Sequence, residues 1–194
     1  MILLDNLHKN PLLIILSLSF LIVSCIPGKS LVYQPEAPGG RVVSAHCPPD
    51  ESFLLFEANE VVVGVRAKTP WDNKIIVNIT FEVPEGKTVI LEDQQIEVLE
   101  GEQIFAKVDV QRISDDFQTG APMPGKTEWK LFKQITMYGT TKHAYYTFNA
   151  TIPVLGKEYF YIKLPCFLVN NVRWNLPLIK FTLIEKFSLH PLNC

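Results

Sequence analysis

The sequence predicts an all-β fold, a two-layer β-sandwich, and three observations carry that expectation. From residue 42 onward apolar side chains recur with period two, the spacing that lines one face of a strand. No stretch of the same region repeats its apolar residues at the 3.6-residue spacing of a helix. The composition, with 10 Gly, 14 Pro and many Val, Ile, Phe, Tyr and Thr, suits strands and turns, because β-branched and aromatic groups pack well on a pleated surface.

The first element stands apart from that fold. Residues 11–24, PLLIILSLSFLIVS, form an uncharged apolar run behind a short polar stretch. As a helix it would span roughly 21 Å, short of a ~30 Å hydrocarbon core, so it reads as the apolar centre of a signal peptide. Such a leader is excluded from fold reasoning, and it inflates the mean hydropathy of +0.15.

The run ends in Ile22-Val23-Ser24-Cys25, which resembles the bacterial lipobox. The resemblance implies a lipoprotein precursor whose signal peptide, residues 1–24, is removed, with Cys25 thioether-linked to diacylglycerol and the new amino terminus acylated, with palmitate or a similar chain. Each buried CH₂ contributes about 0.8 kcal/mol, so two or three chains hold a protein on a membrane durably. Ile26, rather than Asp, after the cysteine implies an outer-membrane address in a Gram-negative host, at its periplasmic face or surface. The competing reading of the same segment is an ordinary secretory leader or a single-pass anchor.

Residues 25–41 read as a flexible lipidated tether, since 26–41 hold three prolines and three glycines with little periodicity. The sandwich domain is then 42–194. Its strands are expected at Ser52–Glu57, around Val61, Val63 and Val65, at Ile75–Val83, Thr88–Leu91, Gln95–Leu99, Ile104–Ile113, Trp129–Tyr138, Ala144–Ile152, Lys157–Phe167 and Val172–Phe187. Alternation points Ile104, Ala106, Val108 and Val110 inward, as it does Ala144, Tyr146, Phe148 and Ala150. That many short strands make a two-layer sandwich, immunoglobulin-like or similar, because one open sheet leaves an apolar face wet. Turns are expected at Pro84-Glu85-Gly86-Lys87 and Glu100-Gly101-Glu102, and a two-residue type I′ hairpin at Asn170-Asn171.

With Cys25 acylated, Cys47, Cys166 and Cys194 remain, so one pair and one leftover thiol are expected in an oxidising compartment. Cys47 with Cys194 would tie the two ends of the domain; the other two pairings stay open. Alternation with Phe160, Ile162 and Leu164 makes Cys166 a buried, inert thiol or an alternative partner. A four-ligand metal site from His46, Cys47, His190 and Cys194 is disfavoured against the disulfide, because neighbouring residues on extended chain, such as His46 and Cys47, point apart.

Function is less legible than fold. With 18 basic against 20 acidic residues the chain has no concentrated basic field, which excludes nucleic acid as a partner. No nucleophile elbow, phosphate loop, dinucleotide glycine pattern or HExxH occurs, so the expectation is no enzyme, no metal and no cofactor. The long polar stretch 114–127 is the candidate binding loop, with Asp115, Asp116, Phe117 and Met123, and an envelope protein or glycan is the expected partner. Tyr145, Tyr159, Tyr161 and Trp174 are candidates for an aromatic ligand patch. Two alternatives stand beside the lipoprotein reading: an envelope hydrolase with carboxylates scattered through the chain, and a eukaryotic or viral glycoprotein using Asn78 and Asn149 as acceptors.

Overall fold

The computed structural model describes residues 25–44, 52–68, 74–113, 135–153 and 157–191, with the backbone alone at 25–28, 112–113 and 188–191. Among these residues the fold is all-β, without helix. Fifteen strands are present: β1 Cys25–Glu36, β2 Arg41–Ser44, β3 Ser52–Ala58, β4 Val61–Lys68, β5 Ile75–Val83, β6 Thr88–Leu91, β7 Gln95–Glu100, β8 Gln103–Asp109, β9 Gln111–Ile113, β10 Ile135–Tyr138, β11 Ala144–Ile152, β12 Tyr159–Lys163, β13 Phe167–Val169, β14 Val172–Trp174 and β15 Ile179–Pro191.

They form three antiparallel sheets in the order β2-β3-β4-β5-β11-β9, β1-β15-β12-β7-β8 and β10-β6-β13-β14. The six-stranded sheet faces the other two: Phe81 on β5 meets Phe167 on β13 edge to face at 5.4 Å, while β1 lies against β3 and β4. The result is a β-sandwich with one continuous core. Its largest fully buried side chains are Phe81, Phe148, Phe160, Phe167 and Phe181, each contributing about 1.5–3 kcal/mol through burial.

Alternation builds this core strand by strand. On β5, Ile75, Val77, Ile79, Phe81 and Val83 are buried while Ile76, Thr80 and Glu82 are only half-buried. On β11, Ala144, Phe148 and Ala150 are buried and Tyr146 packs against them. The turns follow the local chemistry. Gly86 and Gly101 take φ of +76° and +61°, and Asn170 and Asn171 take +49° and +66°, the pattern of a type I′ hairpin joining β13 to β14.

Four expectations are corrected. First, residues 25–36 are no tether but β1, paired residue for residue with β15 from Cys25 opposite Pro191 to Glu36 opposite Lys180. Pro27 and Pro35 disguised it, yet an edge strand tolerates prolines, because one side of its backbone needs no partner. Tyr33 then enters the core, 3% exposed, donating its hydroxyl to the Lys157 carbonyl at 2.9 Å. Second, the expected single strand Lys157–Phe167 is two, β12 and β13, in different sheets; Val172–Phe187 divides likewise into β14 and β15. Third, Ile104 is 50% exposed, since β8 is an edge strand with an irregular register against Val98 and Leu99. Fourth, Cys166 leaves the apolar face: the chain turns at Leu164-Pro165-Cys166, and Phe167 takes the buried place.

Candidate functional site

The chain crosses between the five- and four-stranded sheets three times among the described residues, from β6 to β7 through Glu92, Asp93 and Gln94, from β12 to β13 through Leu164, Pro165 and Cys166, and from β14 to β15 through Asn175, Leu176, Pro177 and Leu178. The seam opens as a groove of about 480 Å³, completed by side chains of β7, β8, β12 and β14. A seam between sheets is a place where side chains from distant segments converge without filling the space as a core does.

Its floor is a charge ladder set by register. Glu97 on β7 stands opposite Lys107 on β8 and Lys163 on β12. Its carboxylate accepts from both amines, at 3.1 and 3.2 Å. The two lysines, Lys107 first, hold the Glu97 carboxyl below its usual range. Alternation alone places these three groups side by side, since directly opposed residues of antiparallel strands share a face.

The rim carries the thiol. Arg173, on β14, donates through Nε to the Cys166 sulfur at 2.8 Å and through Nη2 to Glu92 at 3.3 Å. These two neighbours, the sulfur first, raise the Arg173 guanidinium further above its ordinary value. Beside it, Asp93 accepts the Gln95 backbone amide at 3.1 Å, and Gln95 donates to Asp109 at 2.9 Å. The groove thus presents paired charges of both signs and a partly exposed thiol; chemically it is suited to holding a small polar or zwitterionic group.

No protein-family model, curated protein or solved structure matches this chain.

The sequence-predicted positions distribute unevenly. Cys25 begins β1, opposite Pro191. Cys166 sits in the groove. Cys47, Cys194, His46 and the loop residues Asp115, Asp116, Phe117 and Met123 lie outside the described residues. His190 lies in β15, opposite Ile26. The four aromatics do not form one patch: Tyr145 is on β11 of the six-stranded sheet, Tyr159 and Tyr161 are on β12, and Trp174 on β14 packs on Phe167 at 4.9 Å. Lys180 covers the Tyr159 ring at 5.7 Å.

Two further clusters lie on the outer face of the six-stranded sheet. His143 stacks on Tyr145 and its Nδ1 meets the Glu82 carboxylate. Burial, then the charge and hydrogen bond of Glu82, push the Tyr145 phenol up. Across β4, β5 and β11, Arg66, Asn78 and Asn149 stand in register. Arg66 Nε donates to Asn78 Oδ1 at 3.0 Å, Asn78 Nδ2 donates to Asn149 Oδ1, and Asn78 is only 7% exposed. Among the described residues no group of three or more His, Cys, Asp or Glu side chains is placed to hold a metal ion.

Proposed function

We propose that the chain is a lipoprotein precursor, cut before Cys25 and held on a cell-envelope membrane by acyl chains on that cysteine, with the sandwich as a non-catalytic binding or accessory domain. One observation carries this reading: the uncharged apolar run 11–24, too short as a helix to cross a hydrocarbon core, ends directly before the cysteine in the lipobox-like Ile22-Val23-Ser24-Cys25. In a Gram-negative host the address is the outer membrane, and the ligand of the domain is an envelope protein or glycan.

The seam groove supports a binding role better than a hydrolytic one. A glycosidase acid needs a carboxyl whose pKa is raised, whereas Glu97 is held down by two lysines. Glu92 is engaged by Arg173 and Asp93 by the backbone of Gln95. The glycoprotein alternative meets a similar obstacle, because the Asn78 amide is buried mid-strand and donates to Asn149.

The test is metabolic labelling with an alkyne-bearing palmitate in a bacterial host. The wild type takes up label and fractionates with membranes, while Cys25→Ser takes up none and leaves them. Absence of label on the wild type, or label persisting on Cys25→Ser, overturns the proposal.

A further inference from the structure

The pairing of β1 with β15 extends well past the body of the sandwich. β12 is hydrogen-bonded to β15 only along Ile179–Thr182. Beyond it the Leu183 amide still donates to the Glu158 carbonyl at 2.7 Å, and from there on, among the described residues, the strand ladder of Ile184–Pro191 is formed with Cys25–Val32. The facing layer ends at the same level. Tyr33 is 3% exposed and Phe181 fully buried, whereas two residues further along the same face Leu31 is 60% exposed, and Phe187, opposite Lys29, is 65% exposed. Ion pairing of Lys29 with Glu185 at 2.8 Å, also on that face, is solvent-borne. From Tyr33 to Cys25 the ribbon covers about 26 Å at ~3.3 Å per residue.

We infer that this two-stranded ribbon is a stiff stalk whose tip, Cys25 beside Pro191, meets the lipid surface and holds the sandwich at a fixed height above it. The inference rests on acylation at Cys25 and adds how the anchor is joined to the domain. A lipoprotein with a loose linker lets its domain wander; here the residue that would begin the mature chain already lies in the β1–β15 ladder, opposite Pro191. The lipid is identified by where the chain comes from: the apolar residues 11–24 and the lipobox-like cysteine deliver the tip to the bilayer. The last residues of β15 are thereby carried to the same surface, although they lie far from Cys25 in sequence. A lone two-stranded ribbon is marginal in water, and this one is held at its base by the Tyr33 ring against Phe160 at 5.1 Å and by β12.

Trypsin reads the difference directly, because Lys29 and Lys186 lie within the ribbon on opposing strands. The full lipidated chain is reconstituted in phosphatidylcholine vesicles, the acyl mass on Cys25 is measured on the same sample, and cleavage after Lys29 is followed by release of the domain from the vesicles. A stalk resists, and cleavage in Lys186→Pro, which puts a proline at an amide of β15 that faces β1, opposite Ser30, runs at least about tenfold faster. Near-UV circular dichroism of Lys186→Pro keeps the signal of the folded sandwich. Equal and rapid release of wild type and Lys186→Pro from an acylated sample overturns the stalk while leaving the lipoprotein reading intact. Absence of acyl mass on Cys25 overturns both.

Discussion

Replacing Tyr33 tests whether β1 belongs to the fold. The ring is 3% exposed, lies edge-on to Phe160 at 5.1 Å, and its hydroxyl donates to the Lys157 carbonyl at 2.9 Å. A buried tyrosine covers about 150–250 Å², worth roughly 4–6 kcal/mol at ~25 cal/mol per Å². Compactness of the unfolded chain reduces this by about 10–40%. Tyr33→Ala therefore costs about 3–5 kcal/mol, the range of large-to-small core substitutions, and Tyr33→Phe, which loses only the hydrogen bond, about 1–1.5 kcal/mol. Urea unfolding of the leaderless chain carrying Cys25→Ser measures both. The phenol supplies a second signature. Burial raises its pKa above the ordinary value of 10.0, so the unfolded state releases this proton first. Its contribution is complete below about pH 10 and is lost as pH rises through the folded value. Tyr33→Phe removes that alkaline step. A cost below about 1 kcal/mol for Tyr33→Ala, at unchanged denaturant slope, would mean that the segment is the loose tether its composition suggests, and that the packing argument fails.

Three further outcomes follow from the same structure. At Gly139 a Cβ would lie 1.7 Å from the Pro84 carbonyl oxygen, a backbone atom, so Gly139→Ala costs about 3 kcal/mol or more in thermal or urea unfolding. Glu60 holds a φ of +71° in the Asn59-Glu60 turn between β3 and β4. Glu60→Gly removes that strain and gains about 0.5–1 kcal/mol, despite losing the exposed ion pair with Lys87. Glu97 is held below its ordinary pKa by Lys107 and Lys163; its contribution is present above about pH 4 and is lost as pH falls through the folded value. Glu97→Gln therefore flattens the acid limb of the stability profile and changes neutral stability by less than about 1 kcal/mol.

Local patterns were legible where one strand's own residues decide its fate. Thr88–Leu91 and Ala144–Ile152 lie where period-two alternation puts them, and Asn170-Asn171 adopts the left-handed pair its amides favour. What escaped depends on partners distant in sequence. β1 has few apolar residues and owes its structure to β15, which lies at the other end of the sequence. The Asn59-Glu60 hairpin escaped because glutamate rarely takes positive φ. Cys166 was misplaced because Pro165 breaks the strand and shifts the alternation by one residue, which exchanges the two faces. The groove draws on four separated segments, and only register brings Glu97 between Lys107 and Lys163. Its one sequence signal was the polar residue alternating with Val98 and Ile96, which by itself reads as solvent face.

The account turns on the chemistry of a single sulfur and the peptide bond before it. Intact-mass analysis with amino-terminal sequencing of the protein purified from its native membrane decides the matter. The account predicts a chain starting at residue 25, carrying the mass of a diacylglyceryl group and an added acyl chain. A chain that retains residues 1–24, or one that begins elsewhere with residue 25 unmodified, contradicts it.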